Sequence, residues 1–428
     1  MTGTNPIPVI PVTMVCIGDR MNILYLHQYF VTRSEVGGTR SYEFARYLVN
    51  QGHRVTMVTS ASGKQSDSQG PTRRRNVDGI EVIDIRAGYE ALLHGTALGY
   101  FARALAFIKF AIASSLVVLR QPKPDVVFAT STPLTIGIPA LVASKFHKTP
   151  LVFEVRDLWP EAPIQIGAIR NLLIIKTLQW FERTIYRHSS HVIALSPGML
   201  EGIVAAGVPL ARVSMIPNAS DLELFSPEVD GTEFRARLGL NGQFVCSYFG
   251  AMGEANDLRQ VVEAAKCLQE KGEKDIAFVL HGKGKRRSEL ESFCRTQGLK
   301  NVVFSDPIPD KHQIARLAAA SDACMTIYKD IPILYTCSPN KLFDTLAAGR
   351  PAIVNSPGWL KELVESNEVG LYARPGDGAH LAECVRYLRD HPEIAKAFGQ
   401  NARKLAEQKF DRNKLAAQLL RVFESVTQ

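Results

Sequence analysis

Two doubly wound α/β domains in tandem are what this sequence predicts, and three features carry the prediction. Short apolar runs of strand length recur along the chain; glycine-bearing turns lead from several of them into amphipathic helical stretches; and the pattern restarts near Phe244. With 428 residues, 46% of them hydrophobic and 21% charged, the chain has material for about two to three such domains. Collagenous, coiled-coil and wholly disordered classes are excluded.

Residues 1–20 read as an extension outside the fold. They hold an apolar stretch, Val9 to Ile17, without the Lys or Arg that precedes it in a signal peptide. The first strand starts at Met21-Asn22 and continues through Ile23-Leu24-Tyr25-Leu26. A loop with Gly37-Gly38 leads to a helix opened by Thr39, with Tyr42, Phe44, Ala45 and Leu48 on its apolar face, which ends near Gly52 before the strand Val55–Val58. Strand, glycine turn, helix and strand form a βαβ unit, which requires a parallel sheet. Ile80–Ile85, Val126–Ala129, Leu151–Glu154, Val192–Leu195 and Val213–Ile216 extend that sheet. The passage from Ile216-Pro217-Asn218 to Leu224-Phe225-Ser226-Pro227 is a linker, so a first domain over 21–225 precedes a second over 226–410. In the second, the strands are Phe244–Phe249, Ala277–His281, Val302–Phe304, Ala323–Ile327, Ala352–Val354 and Val369–Tyr372, with a helix over Leu258–Lys271. A final helix over 411–428 is expected to pack back on the first domain, and a ligand belongs in the cleft between the domains, at the carboxyl ends of the strands.

Lys and Arg outnumber Asp and Glu by 50 to 42, and the surplus is scattered in local clusters: Arg73-Arg74-Arg75, the group Lys283, Lys285, Arg286 and Arg287, and Arg103, Lys109, Arg120 and Lys123. That pattern suits an anionic ligand or an anionic bilayer, and without interleaved exposed aromatics or a recognised module it argues against nucleic acid. The seven cysteines form no C-x-x-C pair and read as reduced core residues of a cytosolic protein. No Asp-x-Asp spacing or His/Cys cluster occurs, so no metal site is expected. The apolar stretch 101–119 is expected to be helical and too short to span a bilayer with Arg103 and Lys109 inside it; it is either buried in the first domain or laid on the membrane surface.

The most informative segment is Tyr335-Thr336-Cys337-Ser338-Pro339-Asn340-Lys341-Leu342-Phe343-Asp344, followed by Thr345 to Pro351. With Ser338 as N-cap and Pro339 at the first helical position, the amides of Asn340 and Lys341 point out of a helix start beside an ammonium, which makes an anion site. Asp344, one turn on, is placed to accept hydrogen bonds from a vicinal diol.

This segment resembles the nucleotide-sugar motif of glycosyltransferase family 4, and Ile216-Pro217-Asn218 with Phe225 resembles that family's linker. Glu154-Val155-Arg156-Asp157-Leu158-Trp159-Pro160-Glu161 is similar to a signature of its bacterial surface-polysaccharide branch, which includes L-fucosamine transferase-like proteins. Gly37-Gly38, Tyr248-Phe249-Gly250 and Gly282-Lys283-Gly284-Lys285 follow in the family's order. The resemblance implies the GT-B architecture, two Rossmann-like domains facing across a cleft. It implies a retaining transferase that moves a sugar, such as an N-acetylated deoxyhexosamine, from a UDP-sugar to a lipid-linked saccharide in O-antigen or capsule synthesis, peripheral on the inner face of the cytoplasmic membrane. Arg156, Asp157 and Lys341 are then the catalytic candidates. Gly37, Gly38, Gly250, Lys283, Thr336, Ser338, Pro339, Asn340, Lys341 and Asp344 are the nucleotide-sugar-binding candidates, with no cofactor beyond the donor. The chain departs from the family in three places. Thr336 stands where many members have the first of two glutamates, Ala251 to Asn256 lacks the usual basic pair, and Arg156 replaces a common histidine. A nucleotide-sugar epimerase of the same architecture and a non-enzymatic membrane-surface scaffold remain as alternatives at this point.

Overall fold

The computed structural model describes residues 20–35, 37–61, 70–87, 100–308 and 310–428, except the side chains of 100, 101, 103 and 104. Apart from Arg20, the expected N-terminal extension lies outside the described residues, as does the side chain of Arg103.

The first domain is built on strands β1 (Asn22–Leu26), β2 (Arg54–Ser60), β3 (Thr72–Val77), β4 (Ile80–Ile85), β5 (Val126–Thr130), β6 (Leu151–Val155), β7 (His191–Ala194) and β8 (Val213–Met215). They form one sheet in the order β3-β4-β2-β1-β5-β6-β7-β8, parallel except for the β3–β4 pair. The central strands are buried along nearly their whole length, which is why they read as continuous apolar runs. Among its helices are α1 (Arg40–Asn50), α2 (Tyr100–Val118), α3 (Gly137–His147), α4 (Glu161–Gln165), α5 (Leu172–His188) and α6 (Pro197–Ala205).

Strand β3 has no counterpart among the expected strands, because TRRRNV lacks apolar alternation. Cross-strand charge takes its place: Arg75 meets Asp84 at 2.7 Å and Arg74 pairs with Glu81. The basic run at 73–75 is therefore an edge strand in which two of the three cations are matched by carboxylates, a correction to its reading as a ligand cluster.

The second domain carries α7 (Thr232–Arg237), β9 (Phe244–Phe249), α8 (Leu258–Glu270), β10 (Ile276–His281), α9 (Arg287–Thr296), β11 (Val302–Ser305), α10 (Lys311–Ala320), β12 (Ala323–Thr326), α11 (Asn340–Ala347), β13 (Ala352–Val354), α12 (Trp359–Ser366), β14 (Gly370–Tyr372), α13 (Gly378–Asp390) and α14 (Pro392–Lys409). Its sheet is parallel in the order β11-β10-β9-β12-β13-β14. The chain then crosses back. Helix α15 (Arg412–Thr427) packs on α1 and β5 of the first domain, where Phe423 meets the Phe128 ring at a centroid distance of 5.1 Å.

Helix α2 is buried in the first domain along one side only. Ala106, Phe110, Ala111, Ser114, Val117 and Val118 are buried, whereas Leu105, Ile108, Lys109, Ile112 and Leu116 are exposed. No described helix is long and apolar enough to cross a membrane.

Candidate active site

The carboxyl ends of the first sheet, the linker and the head of α11 converge on one cavity of about 330 Å³. Its lining includes His27 after β1, Thr132 after β5, Arg156 and Asp157 after β6, Asn218 of the linker, Tyr328 after β12, and Cys337 to Asn340. Parallel sheets gather ligands at this end, where loops leave the strands and helix starts point inward.

Arg156 is oriented by a buried histidine. Its Nη1 lies 3.3 Å from His27 Nε2, and His27 Nδ1 lies 2.8 Å from Ser41 Oγ. A guanidinium only donates, so Nε2 accepts and Nδ1 carries the ring proton toward Ser41. Burial, and then the neighbouring Arg156 charge, hold the imidazole well below its ordinary value, so it is neutral. Asp157 accepts a 2.9 Å bond from Thr132 Oγ1, and burial raises its carboxyl against the opposing effects of that bond and of Arg156. Arg156 and Asp157 therefore use different hydrogen-bond partners. At Gly38 an added Cβ would stand 3.3 Å from Arg156 Nη2 and 3.4 Å from Asn340 Nδ2, so the bare α-carbon keeps open the gap between those donors. Gly37, at φ 152°, faces Val31.

Next to the cavity lining, at the head of α11, the second domain brings an ammonium to glycine turns. Lys341 Nζ donates to Tyr248 Oη at 2.7 Å and lies 4.0 Å from that ring's centroid, with Asn256 Oδ1 at 3.4 Å. A Cβ on Gly250 would come within 3.2 Å of Nζ, and one on Gly282 would overlap the Gly250 carbonyl oxygen, so these two turns tolerate only glycine. Burial lowers the Lys341 ammonium to about 7. Lys283 is exposed on the turn after β10, with its carbonyl bonded by Met252 N–H.

Three expectations about the 336–344 segment need correction. Ser338 does not cap α11: its Oγ accepts from Asn218 N at 3.1 Å and its carbonyl from Asn218 Nδ2 at 2.5 Å, so it ties the helix head to the linker. The helix begins at Asn340 with Pro339 in the cap position. Thr336 ends a tight turn (Pro332–Thr336) wedged against the first domain; its hydroxyl donates to Ile333 O at 2.8 Å and its methyl lies where a Cβ on Gly198 would stand. Asp344 does not face the cleft. It is buried and accepts a 2.8 Å bond from Ser220 Oγ, because its short side chain meets the linker where it folds over α11.

His27, Thr132 and Tyr328 are not among the candidates read from the sequence. A signal existed for His27, the first residue past the end of β1, and for Asn218, which stands in the quoted linker motif. A larger cavity, about 570 Å³, lies at the amino end of the second sheet, away from these groups. Of its three arginines, Arg389 is engaged by Glu273, Asp275 and Asp390, Arg403 by three backbone carbonyls and Glu407, and Arg350 through Nη2 by the Ala319 carbonyl at 2.7 Å.

Residues 37–219 match the model of the glycosyl transferase 4-like domain, and residues 243–391 match that of glycosyl transferases group 1. WcaI of Escherichia coli, named as a colanic acid biosynthesis glycosyl transferase, is 22% identical over 387 residues, covering 84% of this chain and 90% of that protein. The glycogen synthase of Mycobacterium tuberculosis is 22% identical, covering 90% of each chain. HepE of Anabaena, solved in complex with UDP-glucose, superposes with a TM-score of 0.70 at 20% identity, over 95% of this chain and all of that one. The fold is GT-B, and the chain is a glycosyltransferase composed of a glycosyl transferase 4-like domain followed by a group 1 domain.

Proposed function

We propose that the protein transfers a sugar, with retention of configuration, from a UDP-sugar to a lipid-linked saccharide during bacterial surface-polysaccharide assembly. One observation carries the reading: Arg156 of the first domain lines a cavity that Gly38 keeps open, and the cavity's opposite lining, Cys337 to Asn340, runs into the head of α11, whose next residue, Lys341, holds its ammonium beside Gly250. The donor's diphosphate lies between Arg156 and Lys341. It meets the partial positive charge of the helix start and the two cations, and binding charges Lys341. As the glycosidic oxygen departs, these groups stabilise the negative charge on the diphosphate, and one of its oxygens takes the proton from the acceptor hydroxyl on the same face of the sugar. Asp157, held by Thr132, orients the acceptor. The contacts across the cleft, Ser338 with Asn218 and Ile333 N–H with Gln165 Oε1 at 2.9 Å, keep water from competing for the donor.

The similarity to WcaI supports a surface-polysaccharide role, and HepE with UDP-glucose supports a UDP-linked donor. The donor sugar we favour is an N-acetylated deoxyhexosamine of the L-fucosamine type. A lipid-linked acceptor places the enzyme on the inner face of the cytoplasmic membrane. Charge on the diphosphate is met by side chains, so transfer needs no metal. The test incubates the protein with a panel of UDP- and GDP-sugars and a lipid-diphosphate-saccharide extract, with and without EDTA, and reads products by mass. The expected product is a lipid-linked saccharide longer by one residue, formed with EDTA present at a rate reduced less than about tenfold, or 1.4 kcal/mol. Free UDP or an altered sugar formed without any acceptor would overturn the transferase reading in favour of epimerisation.

A further inference from the structure

The face of the first domain made by α2, α3 and α5 differs from the rest of the surface. Helix α2 packs along α3, and α3 touches α5, so the three form one layer. Large apolar side chains are exposed across it. On α2, Leu105, Ile108, Ile112 and Leu116 form a single stripe; on α3, Phe146 stands out of the surface. The start of α5 is the extreme case, where Leu172, Leu173 and Trp180 are 73%, 76% and 66% exposed. This helix start is formed and fixed, because Asn171 Oδ1 accepts from Leu173 N at 2.9 Å and from Ile174 N at 3.2 Å.

Charge on the layer is one-sided. Lys109, Lys145, Lys176, Arg183 and Arg187 are exposed on the three helices, and Glu182 is their one acidic residue. Glu182 is half-buried, and burial raises its carboxyl to about 7 despite bonding to Tyr186 and the nearby Arg183. An apolar surface interspersed with cations and almost free of carboxylates is complementary to an anionic bilayer: acyl chains take the leucines, and phosphates take the ammonium and guanidinium groups. Trp180, about two turns along the same helix from the leucine pair, suits the headgroup level.

Position ties this face to the cleft. The segment leaving β6 carries Arg156 and Asp157, then α4, whose Gln165 bonds Ile333 of the second domain, and then Asn171 and the exposed leucines. We propose that the first turns of α5, through Leu172, Leu173 and Trp180, insert into an anionic lipid surface and hold the cleft beside it, with the α2 stripe as the weaker second contact. This rests on the lipid-linked acceptor proposed above and names the element that meets the lipid.

The experiment sediments full-length protein with vesicles of phosphatidylcholine containing about one third phosphatidylglycerol, against pure phosphatidylcholine, at physiological salt. Wild type should bind the anionic vesicles and not the neutral ones. Leu172→Ser with Leu173→Ser should lose at least about tenfold in vesicle affinity with an unchanged melting curve, and Ile108→Ser with Ile112→Ser should lose less. Trp180 fluorescence should shift to the blue on binding, and the shift should vanish in Trp180→Phe. Three results would overturn the inference: wild type that ignores anionic vesicles, an α2 pair that outweighs the α5 pair, or a concentration-dependent dimer that the α5 pair abolishes. UDP titration of the same proteins reads the donor site separately. Vesicle binding without UDP binding would sink the transferase reading and leave the lipid contact standing.

Discussion

Two arginine–carboxylate sets sit next to each other at the end of β6, and they have opposite fates. Glu154, inside the strand, is fully buried against Arg40, the first residue of α1, with Nε and Nη2 at 3.0 and 2.8 Å from Oε1. Arg40 gives its remaining donors to the carbonyls of Pro217 and Ile216 at 2.6 and 2.9 Å, and Thr130 serves the second oxygen of Glu154 at 3.1 Å. Just past the strand, Arg156 and Asp157 are not paired with each other. Arg156 reaches one side-chain acceptor, a neutral imidazole, and Asp157 reaches one hydroxyl. The first set is closed and bolts the linker to the sheet. The second leaves guanidinium donors and a carboxylate oxygen facing a cavity, which is how groups meant for a ligand differ from groups meant for the fold.

Breaking the closed set should cost the most. Arg40→Met leaves a buried, unpaired Glu154 and frees the two linker carbonyls, so about 3–5 kcal/mol of stability should be lost. Denaturant unfolding of the variant measures it, and a loss below about 1 kcal/mol would mean that the pair does not hold the linker.

The open set should respond the other way. Arg156→Met removes a charge from the cavity but breaks no ion pair, and Asp157 keeps its bond from Thr132, so stability should stay within about 1 kcal/mol of wild type. Turnover should fall by roughly 10²–10³, the range for deleting one donor to a developing negative charge. Melting curves beside a transfer assay decide. A variant that loses stability and activity in parallel would make Arg156 a second bolt.

The strands were legible because both sheets are covered on both faces, which writes each central strand as an unbroken apolar run such as Val126–Ala129. Strand β3 was not, since its pairing rests on arginines crossing to Glu81 and Asp84, a partnership invisible in a linear reading. At the site, Arg156, Asp157 and Asn340 could be read from motifs because they sit where a strand ends or a helix begins. Side-chain direction could not. Asp344 stands one helical turn from Lys341, yet the linker hydroxyl of Ser220 takes its carboxylate while Lys341 turns to Tyr248. Helical spacing fixes which residues share a face and leaves open which nonlocal partner claims each.

The smallest expected effect separates the two halves of the site by pH. Burial places Lys341 at about 7, against an ordinary value of 10.5. UDP brings negative charge to the ammonium and raises that value in the complex. Below about pH 7 Lys341 is already charged, so this residue adds no pH dependence there, and any fall in affinity belongs to protonation of the terminal phosphate of UDP, which titrates at about pH 6. From about pH 7.5 to 9 each UDP bound must take up a proton, and affinity should fall by at most about tenfold per pH unit. Over the window between about 7 and 10.5 the unfolded chain holds a proton on Lys341 that the ligand-free fold lacks, so this residue makes ligand-free stability rise with pH. The two observables therefore run in opposite directions, and Lys341→Met should flatten the contribution to both. Calorimetry in buffers of different ionisation enthalpy reads the proton uptake directly. An affinity flat across this range, with a binding enthalpy independent of buffer, would show that Lys341 does not meet the diphosphate and that Arg156 faces it alone.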